Sequence, residues 1–169
     1  MIQLRDVHSN DNLLLVQYLN NENVTRYLSS KIPSPYSLED AKWWIEVGSK
    51  DNAIVKAITF NNTFCGVVGI YTQAFEYQHS AEIGYWIAEK YWNQGIGSHA
   101  VKQFVEFIFT STEIKRLFNP VSEPNFPSIK VMEKAGFYRE GILKQSVYKN
   151  GKYYDEHLYA KVKYMEIDN

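Results

Sequence analysis

The segment Trp92–Ala100 carries two closely spaced glycines, Gly95 and Gly97, directly before a long helical pattern. Free N–H groups at a helix N-terminus point outwards, and the helix dipole favours an anion in front of them. Glycines allow a backbone to approach a phosphate closely. The segment therefore predicts a phosphate-binding helix start, although a plain strand-to-helix turn would also use glycines.

Two common nucleotide-binding loops fit this segment poorly. It lacks Gly-Lys-Ser/Thr, which excludes a Walker-type loop. Gly95, Gly97 and Ala100 match the G-x-G-x-x-A spacing of a dinucleotide fingerprint, and Glu123 supplies an acid near the end of the next predicted strand. However, this turn lies past mid-chain, and the residues after Glu123 offer only one more helix. That is too little to complete a doubly wound sheet.

A mixed α/β framework must position these residues. Apolar residues at three- and four-residue steps predict a helix over 95–110, and strict alternation predicts a strand over 80–88. The other predicted strands cover 2–7, 52–60, 64–71, 114–121 and a closing hairpin that turns at Asn150-Gly151. The other predicted helices cover 11–19, 21–28, 37–48 and 125–135. Residues 95–121 would then form a strand-to-strand crossover.

Composition limits the class of protein. The chain has 169 residues, 45% of them hydrophobic, which suits one globular domain. Eighteen Lys and Arg against nineteen Asp and Glu give a net charge of -1, which argues against general nucleic-acid binding. One cysteine excludes a disulfide framework and favours the reducing cytoplasm. We expect no secretory signal and no membrane span, because no apolar run is long enough.

Several motifs in order resemble the GCN5-related N-acetyltransferase (GNAT) superfamily. Gly95 and Gly97 match its R/Q-x-x-G-x-G/A signature, although Trp92 stands at the leading position. Ala81–Ile87 is similar to the family's fourth strand, and Asn125–Phe137 to its N-x-x-S-x-x-x-x-E-K-x-G-F helix. The similarity is greatest to the branch of the ribosomal-protein-alanine N-acetyltransferases, and it runs nearly end to end.

The resemblance implies one GNAT-like α/β domain over residues 1–169. Its central sheet would be mixed, mostly antiparallel and twisted, with about seven strands, about four flanking helices and a V-shaped split between strands four and five. Acetyl-CoA would lie in this split as co-substrate, and no metal is expected. The protein would be a monomer or a homodimer.

The resemblance also implies which residues hold acetyl-CoA. Its pyrophosphate would sit on the backbone N–H groups of Gln94, Gly95, Ile96, Gly97 and Ser98, in agreement with the helix-start argument. The backbone of Ile87 would pair with pantetheine, flanked by Tyr85 and Trp86. Asn125 and Ser128 lie three residues apart on one helix face, so both could reach the pantetheine arm. A helix cap is the structural alternative for Asn125, and an ordinary first-turn position is the alternative for Ser128.

Acetyl transfer to an amine needs a neutral nitrogen, so a general base helps. Glu82 is the preferred base, because strand alternation places it opposite Ile83 and Tyr85; a structural acid is the alternative. His79 is a second candidate base. Some relatives place a proton-donating Tyr where this chain has Met132, which leaves Tyr138, Tyr148 or water as the acid. Cys65 is expected to be a packing residue.

The expected function is direct acetyl transfer from acetyl-CoA to a primary amine through a ternary complex. The alternative is a non-catalytic acyl-CoA-binding or regulatory protein on the same fold, and a small NAD-binding domain is a distant third. The amine could belong to a protein N-terminus, an aminoglycoside, a polyamine, or a free amino acid or other small amine. Tyr36 and Trp43, on the variable segment 11–50, are the expected acceptor contacts, although both could simply pack.

Overall fold

The computed structural model describes residues 1–164. Its strands are β1 (Ile2–Arg5), β2 (Ala53–Phe60), β3 (Thr63–Thr72), β4 (Ser80–Ile87), β5 (Arg116–Ser122), β6 (Tyr138–Lys149) and β7 (Lys152–Val162). Its α-helices are α1 (Asn12–Leu19), α2 (Glu22–Thr25), α3 (Leu38–Glu46), α4 (Ile96–Ser111) and α5 (Phe126–Lys134). The predicted α/β class is confirmed. Each of the five α-helices falls in a segment predicted to be helical, and α2 is only four residues long.

All seven strands form one sheet, in the order β1-β2-β3-β4-β5-β7-β6. Every neighbouring pair is antiparallel except β4 and β5, which are parallel. The 16-residue helix α4 makes the crossover between those two strands. The sheet is therefore mixed and mostly antiparallel, as the resemblance implied.

Two apolar cores cover opposite faces of the sheet. On one face, α4 buries a stripe that includes Ala100, Val101 and Phe104, all fully inaccessible to solvent. On the other face, α1 and α3 pack through residues such as Leu15 and Ile45. Because strand side chains alternate, consecutive residues of one strand enter different cores. This arrangement gives β4 one face toward α4 and another toward α1.

Local sequence signals explain where several elements begin. The Ser37 hydroxyl accepts from the Asp40 N–H at 3.1 Å, and the Asp40 carboxylate accepts from the Ser37 N–H at 2.8 Å. This capping box satisfies two N–H groups that a helix start otherwise leaves free. The prediction of a helix over 21–28 was too long. After α2 the Thr25 carbonyl accepts from the Leu28 N–H in a single turn, and the carbonyls of Thr25 and Arg26 also accept from Lys149 of β6.

Among residues 1–164, no helix combines the length and apolar character needed to cross a membrane.

Candidate active site

The parallel pairing of β4 with β5 covers only three residue pairs and ends at Glu82 and Phe118. Both strands continue, to Ile87 and Ser122, without pairing with each other. We call the gap between these continuations the split. Backbone N–H and C=O groups along its edges are free to bond to an extended ligand. The predicted V-shaped opening between strands four and five is therefore present.

The N-terminus of α4 opens beside this split. Gly95 is its N-cap residue and adopts the left-handed conformation, with φ of 75°, and Asn93 has φ of 60°. No side chain caps this helix start, and its first turn contains no acidic residue. The first N–H groups of an α-helix have no partner within the helix, so those of Ile96, Gly97 and Ser98 are available. The predicted helix start with free N–H groups is therefore present, and phosphate binding at it stays a prediction.

Trp92, at the position where the sequence departs from the family signature, has a specific contact. Its indole Nε1–H donates to the carbonyl oxygen of Ile87 at 2.7 Å. The contact ties the turn before α4 to the end of β4. A carbonyl oxygen has two lone pairs, so Ile87 can still accept a second hydrogen bond. Sequence reasoning did not find this role, although an N–H donor at the departing position was the available signal.

Tyr85 stands between the starts of α4 and α5. A Cβ placed on Gly97 would lie 3.3 Å from Cε2 of Tyr85, a tight contact, and 3.6 Å from Val131, an ordinary van der Waals contact. The Tyr85 hydroxyl donates to Oγ of Ser128 at 3.3 Å. Burial raises the pKa of Tyr85 to about 12, which keeps the phenol neutral at physiological pH. Tyr85 and Ser128, both predicted to line the cofactor, are thus in contact.

Asn125 caps α5. Its Oδ1 accepts from the Ser128 N–H at 3.4 Å, which is the structural role considered for it from the sequence. The Asn125 carbonyl also accepts from the N–H groups of Ser128 and Ile129. The cap uses the Oδ1 atom of Asn125. Its contact with pantetheine stays a prediction.

Glu82 lies on the opposite face of β4 from Tyr85, at the point where the split begins. The residue as a whole is exposed, yet nearby protein atoms partly desolvate its carboxylate, and this raises its pKa. The negative charge of Glu156 raises the pKa further. Glu156 lies on the same face of the sheet as Glu82. It opposes Ser122 of β5, which shares a face with Phe118, and Phe118 pairs with Glu82. The carboxylate of Glu156 accepts from the Ser146 hydroxyl at 2.8 Å.

The side chains of three other predicted site residues, Trp86, Tyr36 and Trp43, lie apart from those of Tyr85 and Ser128. Trp86 turns away from Tyr85 and packs edge-on against Tyr18 and Phe64, with ring centroids 6.5 and 6.0 Å away. Tyr36 is buried in the same core. Trp43 is 60% exposed on α3, where its ring covers Gly48. Packing accounts for Trp86 and Tyr36, and the ligand contacts of all three stay predictions.

The residues considered for proton transfer are also dispersed. Met132 is fully buried in the core under α4. Tyr138 contacts Glu140, whose carboxylate pairs with Arg116 at the start of β5, away from the split. Tyr148 is 66% exposed, and its ring contacts that of Tyr153 in a tilted arrangement near the hairpin turn. Tyr85, by contrast, lies beside the start of α4.

Cys65 and His79 were also considered from the sequence, and the structure shows the surroundings of both side chains. Cys65 is inaccessible to solvent, and burial raises the pKa of its thiol to about 11, which disfavours a nucleophilic thiolate. His79 is exposed and precedes β4. Its Nδ1 lies 3.0 Å from the carbonyl oxygen of Glu113. Glu82 is therefore the better placed of the two candidate bases.

Comparison with known proteins places this geometry in context. The family model described as acetyltransferase (GNAT) domain matches residues 2–138. The uncharacterized N-acetyltransferase YnaD of Bacillus subtilis is 27% identical over 157 residues, which cover 93% of this chain and 91% of that protein. The ribosomal-protein-serine acetyltransferase of Escherichia coli is 37% identical over 83 residues, which cover 49% of this chain and 46% of that protein.

A solved structure has the same fold. RimL, a ribosomal alpha-N-protein acetyltransferase crystallised with coenzyme A, superposes with a TM-score of 0.82 at 24% identity. The match covers 95% of this chain and 93% of RimL.

Proposed function

The chain belongs to the acetyltransferase (GNAT) family and is an N-acetyltransferase, and we propose that it moves an acetyl group from acetyl-CoA directly to a primary amine. The observation that carries this proposal is the construction of the split. An uncapped helix N-terminus lies on one face of β4, and a carboxylate with a raised pKa lies on the other. The two substrates would thus meet across one strand.

The cofactor face fits the shape and charge of acetyl-CoA. The N–H groups at the start of α4 would bind the pyrophosphate, because they carry partial positive charge and have no partner in the helix. The free edge of β4, ending at Ile87, would pair with the pantetheine amides. Asn125 and Ser128 would close the other side of the arm. The complex of the related RimL fold with coenzyme A supports this assignment.

Glu82 is the base that we assign. Bound acetyl-CoA supplies the acetyl group as a thioester, so the reaction forms an N–C bond and breaks the C–S bond. Glu82 would take the proton that the amine loses, directly or through one water. Its raised pKa brings the carboxylate closer to working pH, which favours proton transfer. A backbone N–H on the free edge of β4 would donate to the oxyanion of the tetrahedral intermediate.

The acceptor that we propose is a protein N-terminus or a small-molecule amine. An α-amine has a pKa of about 7.7–8.0 and is partly neutral at physiological pH, whereas a lysine-like amine at about 10.4 is mostly protonated. A carboxylate base therefore has a smaller protonated fraction to deprotonate in an α-amine than in a lysine-like amine. The similarity to a ribosomal-protein-serine acetyltransferase supports the same choice.

The test is release of the CoA thiol on a panel of amines, with acetyl-CoA binding measured in parallel by isothermal titration. The panel includes peptide N-termini, amino-acid amides, polyamines and aminoglycosides. We expect acetyl-CoA binding together with turnover of at least one α-amine. Binding of acetyl-CoA without turnover of any amine would contradict the proposed reaction. Tighter binding of NAD than of acetyl-CoA would contradict the cofactor assignment.

A further inference from the structure

Residues 21–28, which include α2, cross the mouth of the split. We call this segment the strap. Its first end is attached beside β4, where the Nδ2 amides of Asn21 and Asn23 donate to the Glu89 carboxylate at 2.6 and 2.9 Å. Glu89 follows β4 by two residues. The strap thus starts at one side of the split.

The other end of the strap is attached beyond β5. The Tyr27 hydroxyl donates to the carbonyl oxygen of Pro124 at 3.4 Å, in the turn that leads from β5 into α5. The Lys149 ammonium, at the end of β6, donates to the carbonyl oxygens of Leu28 at 2.6 Å, Arg26 at 2.8 Å and Thr25 at 3.5 Å. The strap therefore spans the open end of the split from the β4 side to the β5 and β6 side.

The strap lies on the face of the sheet that carries Glu82. It continues from α1, and α1 packs through Tyr18 on Trp86. Trp86 and Glu82 share one face of β4, because they are four residues apart on a strand. An amine that enters at the open end of the split and moves along this face toward Glu82 passes the strap.

Lys149 is well suited to hold this segment. An ammonium has three N–H donors and no acceptor, so three carbonyl oxygens satisfy it fully. Partial burial lowers its pKa, which indicates a desolvated contact rather than a solvated surface lysine. Hydrogen bonds with a charged donor are stronger than neutral ones. By contrast Lys152, which opposes Lys149 across the hairpin, is exposed.

Resting on the proposed function, we propose that Lys149 is a specificity-determining residue that latches the strap to the β6–β7 hairpin and thereby limits the acceptor to slender amines. The chemical class admitted is an α-amine at the end of an extended, narrow group. Bulky amines are excluded by the strap and not by Glu82. Releasing the latch should widen the acceptor range without altering the cofactor face.

The experiment compares Lys149→Met with Lys152→Met, a matched change on the same hairpin. CoA-thiol release is measured with glycine amide and tryptophan amide, two α-amines that differ in bulk. We expect the ratio of kcat/KM for the bulky over the slender amide to rise about tenfold in Lys149→Met. It should stay at the wild-type value in Lys152→Met, and in Lys149→Arg, which keeps a cation.

Hydrogen exchange supplies a readout that is independent of turnover. The amides of Val24, Thr25 and Leu28 are hydrogen-bonded within the strap, so their exchange should accelerate in Lys149→Met while α4 stays protected. Unchanged exchange would overturn the latch. Faster exchange with an unchanged kcat/KM ratio would overturn the specificity role alone. Normal acetyl-CoA binding with no turnover by the wild-type protein would overturn the proposed function, and the specificity role with it.

Discussion

The hydroxyl of Tyr85 on β4 donates to Oγ of Ser128 on α5 at 3.3 Å, and this contact joins β4 to the helix that follows β5. The same ring lies against Gly97 at the start of α4. One side chain therefore sets the spacing of the three elements that would surround the pantetheine arm.

Replacing Tyr85 with Phe removes this hydrogen bond and keeps the ring. A neutral hydrogen bond contributes about 1 kcal/mol, so we expect the KM for acetyl-CoA to rise roughly fivefold with little change in kcat. Initial-rate kinetics measures both constants. Tyr138→Phe, which alters a phenol away from the split, is the control. A fall in kcat at constant KM would instead indicate that the Tyr85 hydroxyl donates a proton during the reaction.

Replacing Glu82 with Gln tests the base. A positioned general base contributes about 10²–10⁴-fold, so kcat should fall by that order while the Kd for acetyl-CoA is unchanged. Thiol release and titration calorimetry measure the two quantities. Glu76→Gln, a change at another exposed carboxylate, should have no effect. A Glu82→Gln protein with wild-type kcat would assign Glu82 a structural role.

The same substitution should not destabilise the fold. The pKa of Glu82 is raised in the folded protein, so folding disfavours the ionised carboxylate. The protonated form therefore contributes to the free energy of unfolding below the unfolded-state pKa. This contribution is lost as pH rises through the folded-state pKa. Glu82→Gln should therefore unfold at the same or a higher temperature than the wild type at pH 7. This difference should disappear at about pH 4, near the ordinary pKa of a glutamate.

Replacing Glu156 with Gln tests the electrostatic coupling across the split. Burial and the charge of Glu156 both raise the pKa of Glu82, so removing that charge should lower it. The acid limb of the profile of kcat/KM against pH should then move to lower pH. Gln can keep the hydrogen bond from Ser146, and Glu156→Asp, which keeps the charge, is the control. An acid limb that does not move would show that the charge of Glu156 does not affect the ionisation of Glu82.

Replacing Gly95 with Ala tests the turn before α4. The left-handed backbone costs a residue with a Cβ about 1 kcal/mol, and relief of this strain would re-orient the N–H groups. We expect a lower Tm and a roughly fivefold higher Kd for acetyl-CoA. Gly141→Ala is the control, because a Cβ there meets nothing within 4 Å and its φ is not positive. Equal affinities in the two variants would argue against the turn as the pyrophosphate site.

Local patterns were sufficient to predict much of the fold. The periodicity of α4, the Ser37 capping box and the Asn150-Gly151 turn each depend on residues close together in the chain, so each could be recognised from the sequence. The end of α2 could not, because its carbonyls bond to Lys149, more than 120 residues away.

The candidate site divides in the same way. The glycine turn follows from local geometry. Alternation along β4 was enough to place Glu82 and Tyr85 on opposite faces of the strand. The coupling of Glu82 to Glu156 depends on the register of β4, β5 and β7, which no local pattern specifies. The contacts of Trp92 and Tyr85 depend on side-chain direction at the end of β4, where both reach across a turn or a gap.

The opposite directions of Tyr85 and Trp86 on β4 have a consequence for the order of events in catalysis. On the proposed function, the nucleotide enters and leaves from the α4 side, and the amine enters and leaves from the side of the strap. On that proposal neither substrate would obstruct the path of the other, so the fold would impose no obligatory binding order. The acetylated product and CoA would likewise be free to depart in either sequence.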